Sequence, residues 1–182
     1  AQWTLLAVSL PLLIAAGVYF FNLFSAVTRS NLAISRGRDL VYAGKPAEGL
    51  AQMEAALALG AAPGLTRLRF GHALADMDYA DSAVLLLDAA TAIGRTTNDI
   101  GLLADAATRA ALIFVEANQL DAAMTRVNQV LEIDPRQRDA LIVLGKIMMA
   151  QSRFDEAEEA FINSIERNPT SLMPRYYLWQ AY

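Results

Sequence analysis

The sequence predicts an all-α chain: an apolar N-terminal transmembrane helix, an α-solenoid of about four helical hairpins, and a C-terminal capping helix. Three observations predict it. No Asp, Glu, Lys or Arg occurs before Arg29. Beyond it, apolar residues such as Leu141, Leu144 and Met148 recur at helical spacing and give one buried stripe. Small and large residues there also alternate with a period of 34 residues. A chain of 182 residues holds a short repeat array and one anchor.

The first element follows from uneven composition. The chain is 55% hydrophobic, and its mean hydropathy of +0.29 is high for a water-exposed protein of this size. Trp3 to Val27 is almost wholly apolar. About 20 such residues at 1.5 Å each cross a hydrocarbon core of roughly 30 Å. Trp3 stands at one end and Tyr19, Phe20, Phe21 and Phe24 at the other, as an aromatic belt would. Pro11 is tolerated in lipid as a kink. Residues 1–28 are therefore expected to be a membrane anchor, with the lipid bilayer as a partner, and residues 29–182 the helical repeats. A signal peptide would need a basic start and a shorter apolar core. Arg29, Arg36, Arg38 and Lys45 follow the run, so the positive-inside rule puts the repeats in the cytoplasm, and the periplasm is the alternative. The expected location is a single pass through a bacterial inner membrane.

The repeat elements come next. In a frame starting at Arg138, Leu144, Gly145, Phe154, Ala157, Phe161 and Pro169 occupy positions 7, 8, 17, 20, 24 and 32. The frame at Ala104 puts Ala111, Leu120, Ala123, Val127 and Pro135 at positions 8, 17, 20, 24 and 32. Frames at Gly64 and Ser30 repeat the small residue at position 8 (Gly71, Gly37) and the large one at 24 (Leu87, Met53). The starts at 30, 64, 104 and 138 are spaced 34, 40 and 34, and the surplus around Gly94 to Gly101 reads as a longer polar loop. Small residues at 8 and 20 let two helices approach closely, and the large residue at 24 fills the space between hairpins. Asp134-Pro135 and Asn168-Pro169 close the last two units, with Pro expected in the first turn of the following helix. Leu172 opens a partial fifth frame, the capping helix.

This pattern resembles the tetratricopeptide repeat family from residue 30 to the end. It is strongest in the last two frames and degenerate in the first two, where Gly49 replaces the usual Ala at position 20 and Pro is missing at 32. The resemblance implies a scaffold that binds other proteins along a concave groove lined by positions 2, 5 and 9. Here those positions give Asn31, Ile34, Arg38, Leu65, Leu68, His72, Asp105, Thr108, Leu112, Asp139, Ile142 and Lys146. Some family members clamp a carboxylate terminus with Lys, Arg and Asn. Arg38, Arg69, Arg109 and Lys146 offer comparable charge, but no Asn stands at 6 or 9, which argues against the clamp. A mixed apolar and polar groove suits an amphipathic helix or an extended segment.

Little in the sequence carries other chemistry. The net charge is −4 with no basic stripe, so nucleic acid is excluded as a partner. With no Cys, thiolate metal sites and a cysteine nucleophile are ruled out. The one histidine, His72, has only Asp76 and Asp78 as nearby ligand types in sequence, a weak metal set. Asp155, Glu156, Glu158 and Glu159 read as solvated helix surface. No catalytic motif occurs, and neither a cofactor nor a small-molecule substrate is expected. The expected role is an accessory or assembly subunit of a membrane protein complex. The alternative is an assembly factor holding unfolded clients, similar in layout to membrane-anchored cytochrome c maturation factors.

Overall fold

The computed structural model describes residues 2–167 and 172–180, with side chains from residue 15 onward except at 17, 23 and 167. Every element among the described residues is an α-helix. The chain divides into two compact units, residues 1–62 and 63–182.

The first unit is a hairpin of α1 (Gln2–Tyr42) and α2 (Pro46–Ala58). Among the described side chains of α1, the buried ones lie in its last part. Ser30, Ile34, Gly37 and Val41 are buried at helical spacing, against Gly49, Met53 and Ala56 of α2. Gly49 holds the crossing tight, because a Cβ there would lie 2.7 Å from the Gly37 carbonyl oxygen. That is why glycine stands where the family has alanine.

The membrane expectations are corrected by α1 itself. Among the described residues, no helix is long and apolar enough to cross a membrane. Helix α1 continues unbroken through Arg29, Arg36, Arg38 and Asp39 into the packed hairpin. The transmembrane anchor, the bilayer as a partner and the single-pass inner-membrane location are accordingly not upheld. Tyr19, Phe20, Phe21 and Phe24 are exposed residues of α1, between 66% and 73% accessible, with Tyr19 and Phe20 in edge contact. The side chains of Trp3 and Pro11 lie outside the described ones.

The second unit runs α3 (Pro63–Asp76), α4 (Ala80–Thr97), α5 (Ile100–Glu116), α6 (Leu120–Leu131), α7 (Arg138–Ala150), α8 (Phe154–Arg167) and α9 (Leu172–Gln180). Consecutive helices pair as hairpins α3/α4, α5/α6 and α7/α8, and α9 packs on α8. The odd-numbered helices α3, α5 and α7 also touch in sequence, so they form one face. The core is built from the small–large alternation. Ala111, Ala123, Val127, Val130, Ala140, Val143 and Ile147 form one buried cluster, and Met148, Ala157 and Phe161 continue it towards Tyr177.

A turn of fixed geometry joins the two helices of each hairpin. Its central residue is left-handed each time: Gly44 (φ 76°), Asp78 (63°), Asn118 (56°) and Ser152 (60°). The following residue donates its N–H to the carbonyl five positions back, in Lys45 to Leu40, Tyr79 to Leu74, Gln119 to Phe114 and Arg153 to Met148. These turns all stand at position 15 of the frames, spaced 34, 40 and 34, which is independent support for the register.

Two local expectations differ from the structure. The six surplus residues around Gly94 to Gly101 do not form a long loop; they lengthen α4 and α5, leaving only Asn98 and Asp99 between them. Asn98 ends α4 in the left-handed region, and Asp99 caps α5 by accepting from the Leu102 N–H at 3.0 Å. Gly94 lets the two helices meet, since a Cβ there would lie 2.7 Å from the Leu103 nitrogen. Pro135 also misses the first turn of the next helix. It sits in a turn closed by Asp134, whose carboxylate accepts from the Arg136 N–H, and Gln137 caps α7 by accepting from Ala140. Pro does occupy the first helical position of α2 and α3, as Pro46 and Pro63. Asn168-Pro169 lies outside the described residues.

Candidate protein-binding groove

Within the second unit, α3, α5, α7 and α9 enclose a concavity of about 720 Å³. Residues three and four apart on a helix share a face, so Ala104, Asp105, Thr108, Arg109 and Leu112 present one continuous strip of α5 to it. Asp139, Ile142, Val143 and Lys146 do the same from α7. His72 contributes from α3, Met173 and Tyr177 from α9, and Asp134 and Gln137 from the turn before α7.

The groove is apolar along Leu112, Ile142, Val143, Met173 and Tyr177, with paired charges between. His72 Nε2 stands 3.3 Å from an Asp105 carboxylate oxygen, joining α3 to α5. One turn further along both helices, the Arg109 guanidinium pairs with Asp76. Arg138 and Asp139 pair at 2.8 Å, and the Lys146 ammonium lies 4.8 Å over the Tyr177 ring, joining α7 to α9. His72 thus faces a carboxylate from the neighbouring helix instead of the sequence-adjacent Asp76 and Asp78.

Three buried polar atoms on this surface have no hydrogen-bond partner among the described residues: Thr108 Oγ1, His72 Nε2 and Arg109 Nε. His72 Nε2 is within charge-pair distance of Asp105 but outside hydrogen-bond geometry, so its directional bond is unmade. An unmet buried polar group costs about 1–3 kcal/mol, which makes the cluster unusual in an otherwise well-paired fold.

Of the residues that the frame assigns to the groove, His72, Asp105, Thr108, Leu112, Asp139, Ile142 and Lys146 come together here. Leu68 does not; it is buried in the core side of α3. Asn31, Ile34 and Arg38 belong to the first unit, where Asn31 is exposed, Ile34 buried and Arg38 half-buried with its Nε unpartnered. The frame left out position 6, which supplies Arg109, Val143 and Tyr177, and left α9 out of the groove altogether. Carrying the same numbering into the fifth frame would have found Met173 and Tyr177 at positions 2 and 6. The acidic residues Asp155, Glu156, Glu158 and Glu159 lie on α8, away from the groove lining.

Comparison with known proteins agrees with this architecture. Residues 114–177 match the tetratricopeptide repeat family. No curated protein sequence matches the chain. Among solved structures, MamA (residues 41 to its end) of Desulfovibrio magneticus RS-1 aligns with TM-score 0.62 and 17% identity over 84% of this chain and 83% of that one. YrrB, described as a TPR protein with an unusual peptide-binding site, aligns with TM-score 0.60 and 20% identity over 84% of this chain and 74% of YrrB. The Cut9–Hcn1 hetero-tetramer of APC/C aligns with TM-score 0.64 and 14% identity over 82% of this chain but 29% of that one. At these identities the likeness is one of fold. The chain therefore has the helical-hairpin fold of tetratricopeptide repeat proteins, and residues 114–177 carry the family's repeat pattern.

Proposed function

We propose that the chain is a non-catalytic scaffold that binds other proteins, and that its binding surface is the groove of α3, α5, α7 and α9. The observation that carries this reading is the groove's composition. Apolar strips from successive helices alternate with fixed polar groups over a concavity of about 720 Å³. YrrB, with the same fold, is described as binding peptide, which supports the reading by analogy of fold.

The reading extends to an accessory or assembly subunit of a larger protein complex. A subunit would co-purify with its complex in fixed ratio, whereas a holder of unfolded clients would release them. The test is affinity purification of the full chain beside a Leu112→Asp, Ile142→Asp double variant, which puts charge on the apolar floor. Partners lost from the variant while its helical circular dichroism is unchanged support the groove. Partners retained at full level overturn it.

A further inference from the structure

The groove holds a polar node as well as an apolar floor. Asp105, Thr108 and Arg109 stand at i, i+3 and i+4 on α5, so their side chains form one patch. His72 reaches the same patch from α3, 3.3 Å from Asp105. Thr108 is 6% exposed, and its hydroxyl, the Arg109 Nε–H and His72 Nε2 are all without a hydrogen-bond partner. These three atoms and one further nitrogen, Arg38 Nε of the other unit, are the unmet buried side-chain groups among the described residues. Their gathering at one place in a concave surface is the signature of a site whose bonds are completed by a ligand.

The chemistry of the patch selects the ligand group. Arg109 Nε only donates, and the Thr108 hydroxyl donates or accepts. Asp105 only accepts. A carboxylate would satisfy the donors but would meet Asp105, with Asp134 and Asp139 also lining the cavity. An ammonium group would meet Arg109 and leave its donor unmet. An aliphatic side chain would satisfy nothing. A carboxamide does both jobs, with its oxygen accepting from Arg109 and Thr108 and its NH₂ donating to Asp105.

Resting on the reading of the groove as a protein-binding surface, we infer that the Asp105–Thr108–Arg109 patch with His72 recognises the carboxamide of an Asn or Gln in an extended segment of the partner. The flanking residues of that segment are apolar, to lie against Leu112, Ile142 and Tyr177. Thr108 is the specificity-determining residue, because Val has its shape without its hydroxyl.

The test selects a random peptide library, displayed as an internal insert so that no free carboxylate terminus is offered, against the full chain. Selected segments should carry Asn or Gln at one fixed position. Thr108→Val should bind them about tenfold more weakly, the worth of one or two neutral hydrogen bonds, while melting at the same or a higher temperature alone. Replacing the segment's Gln by Glu should weaken binding at least as much, and Asp105→Asn should narrow that difference. Segments without Asn or Gln, or equal binding by Thr108→Val, overturn this inference while leaving the groove reading intact. If no segment is selected, or the segments bind the Leu112→Asp, Ile142→Asp variant equally, the groove reading fails and this inference with it.

Discussion

A Cβ atom placed on Gly145 would stand 2.4 Å from Cε1 of Phe161, and two more ring atoms would lie within 2.7 Å. The ring cannot step aside freely. Phe161 is wholly buried, and its ring stacks on Tyr177 at 5.8 Å between centroids. Gly145 and Phe161 are thus the small and large partners that let α7 and α8 close on each other.

From that contact, Gly145→Ala should destabilise the chain in spite of the better helix propensity of alanine. Propensity favours Ala by about 1 kcal/mol, whereas overpacking a tight core costs about 1–3 kcal/mol. With the Phe161 ring locked, the cost lies towards the upper end of that range, so the net expectation is a loss of up to about 2 kcal/mol, a fall of up to roughly 4–8 °C in Tm for a chain of this size. Phe161→Leu in the same chain should recover part of the loss, because the ring that clashes is gone. Thermal unfolding of both variants measures it. An unchanged melting temperature in Gly145→Ala contradicts the packing described.

The same pairing explains how much the sequence disclosed. Positions 8 and 24 meet in space at Gly71 and Leu87, as they do at Gly145 and Phe161, so the small–large code translates directly into contacts. The turns were harder to read. Only Gly44 advertises a left-handed residue; Asp78, Asn118 and Ser152 adopt the same conformation without a glycine to mark it. The polar run at Gly94 to Gly101 was misleading for a related reason. Thr96 and Thr97 both donate their hydroxyls to the Ile93 carbonyl within α4, so polarity there serves a helix end. Composition revealed that the leading residues are apolar, but it could not show that the helix carrying them runs unbroken into the first hairpin. The cross-helix pairs of the groove, His72 with Asp105 and Arg109 with Asp76, join residues 33 apart. They become visible only once the register has put α3 beside α5.

Ser152→Gly should stabilise the last hairpin. The left-handed region costs a side chain roughly 1–2 kcal/mol, and glycine loses about 0.5–1 kcal/mol of that in backbone entropy. A net gain of about 0.5–1 kcal/mol is expected. Asn118→Gly should gain less, because Asn tolerates this conformation. Denaturant unfolding of the two variants in parallel checks the order, and a loss in Ser152→Gly would contradict the turn geometry.

Arg126 and Asp88 join α6 to α4 through two bonds, Nε to Oδ1 at 2.8 Å and Nη2 to Oδ2 at 2.6 Å. The guanidinium also lies 5.6 Å from the centre of the Phe114 ring. The two side chains are 22% and 36% exposed, so solvent screens part of the attraction. Arg126→Lys keeps the charge but loses the fork and the stacking plane, and should cost about 0.5–1 kcal/mol. The deficit should change little in high salt, since both forms carry one positive charge. Asp88→Asn should, by contrast, lose its deficit as salt rises. A salt-dependent deficit in Arg126→Lys would mean that net charge, not geometry, holds this junction.

At the start of α8, Arg153 donates to both oxygens of Glu156, at 2.6 and 2.5 Å. The hydrogen bond from Arg153, with its charge, lowers the Glu156 pKa below the ordinary carboxylate value. A carboxylate depressed in the folded chain contributes stability above its unfolded pKa and loses it as pH falls through the folded value. Acidification should therefore leave this turn ordered until below the pH at which unpaired glutamates titrate, and then loosen it. A carboxyl-carbon NMR titration should show Glu156 protonating at lower pH in the unmodified chain than in the Arg153→Ala variant. Coincident Glu156 titrations in the two chains would show that Arg153 does not hold Glu156 in solution.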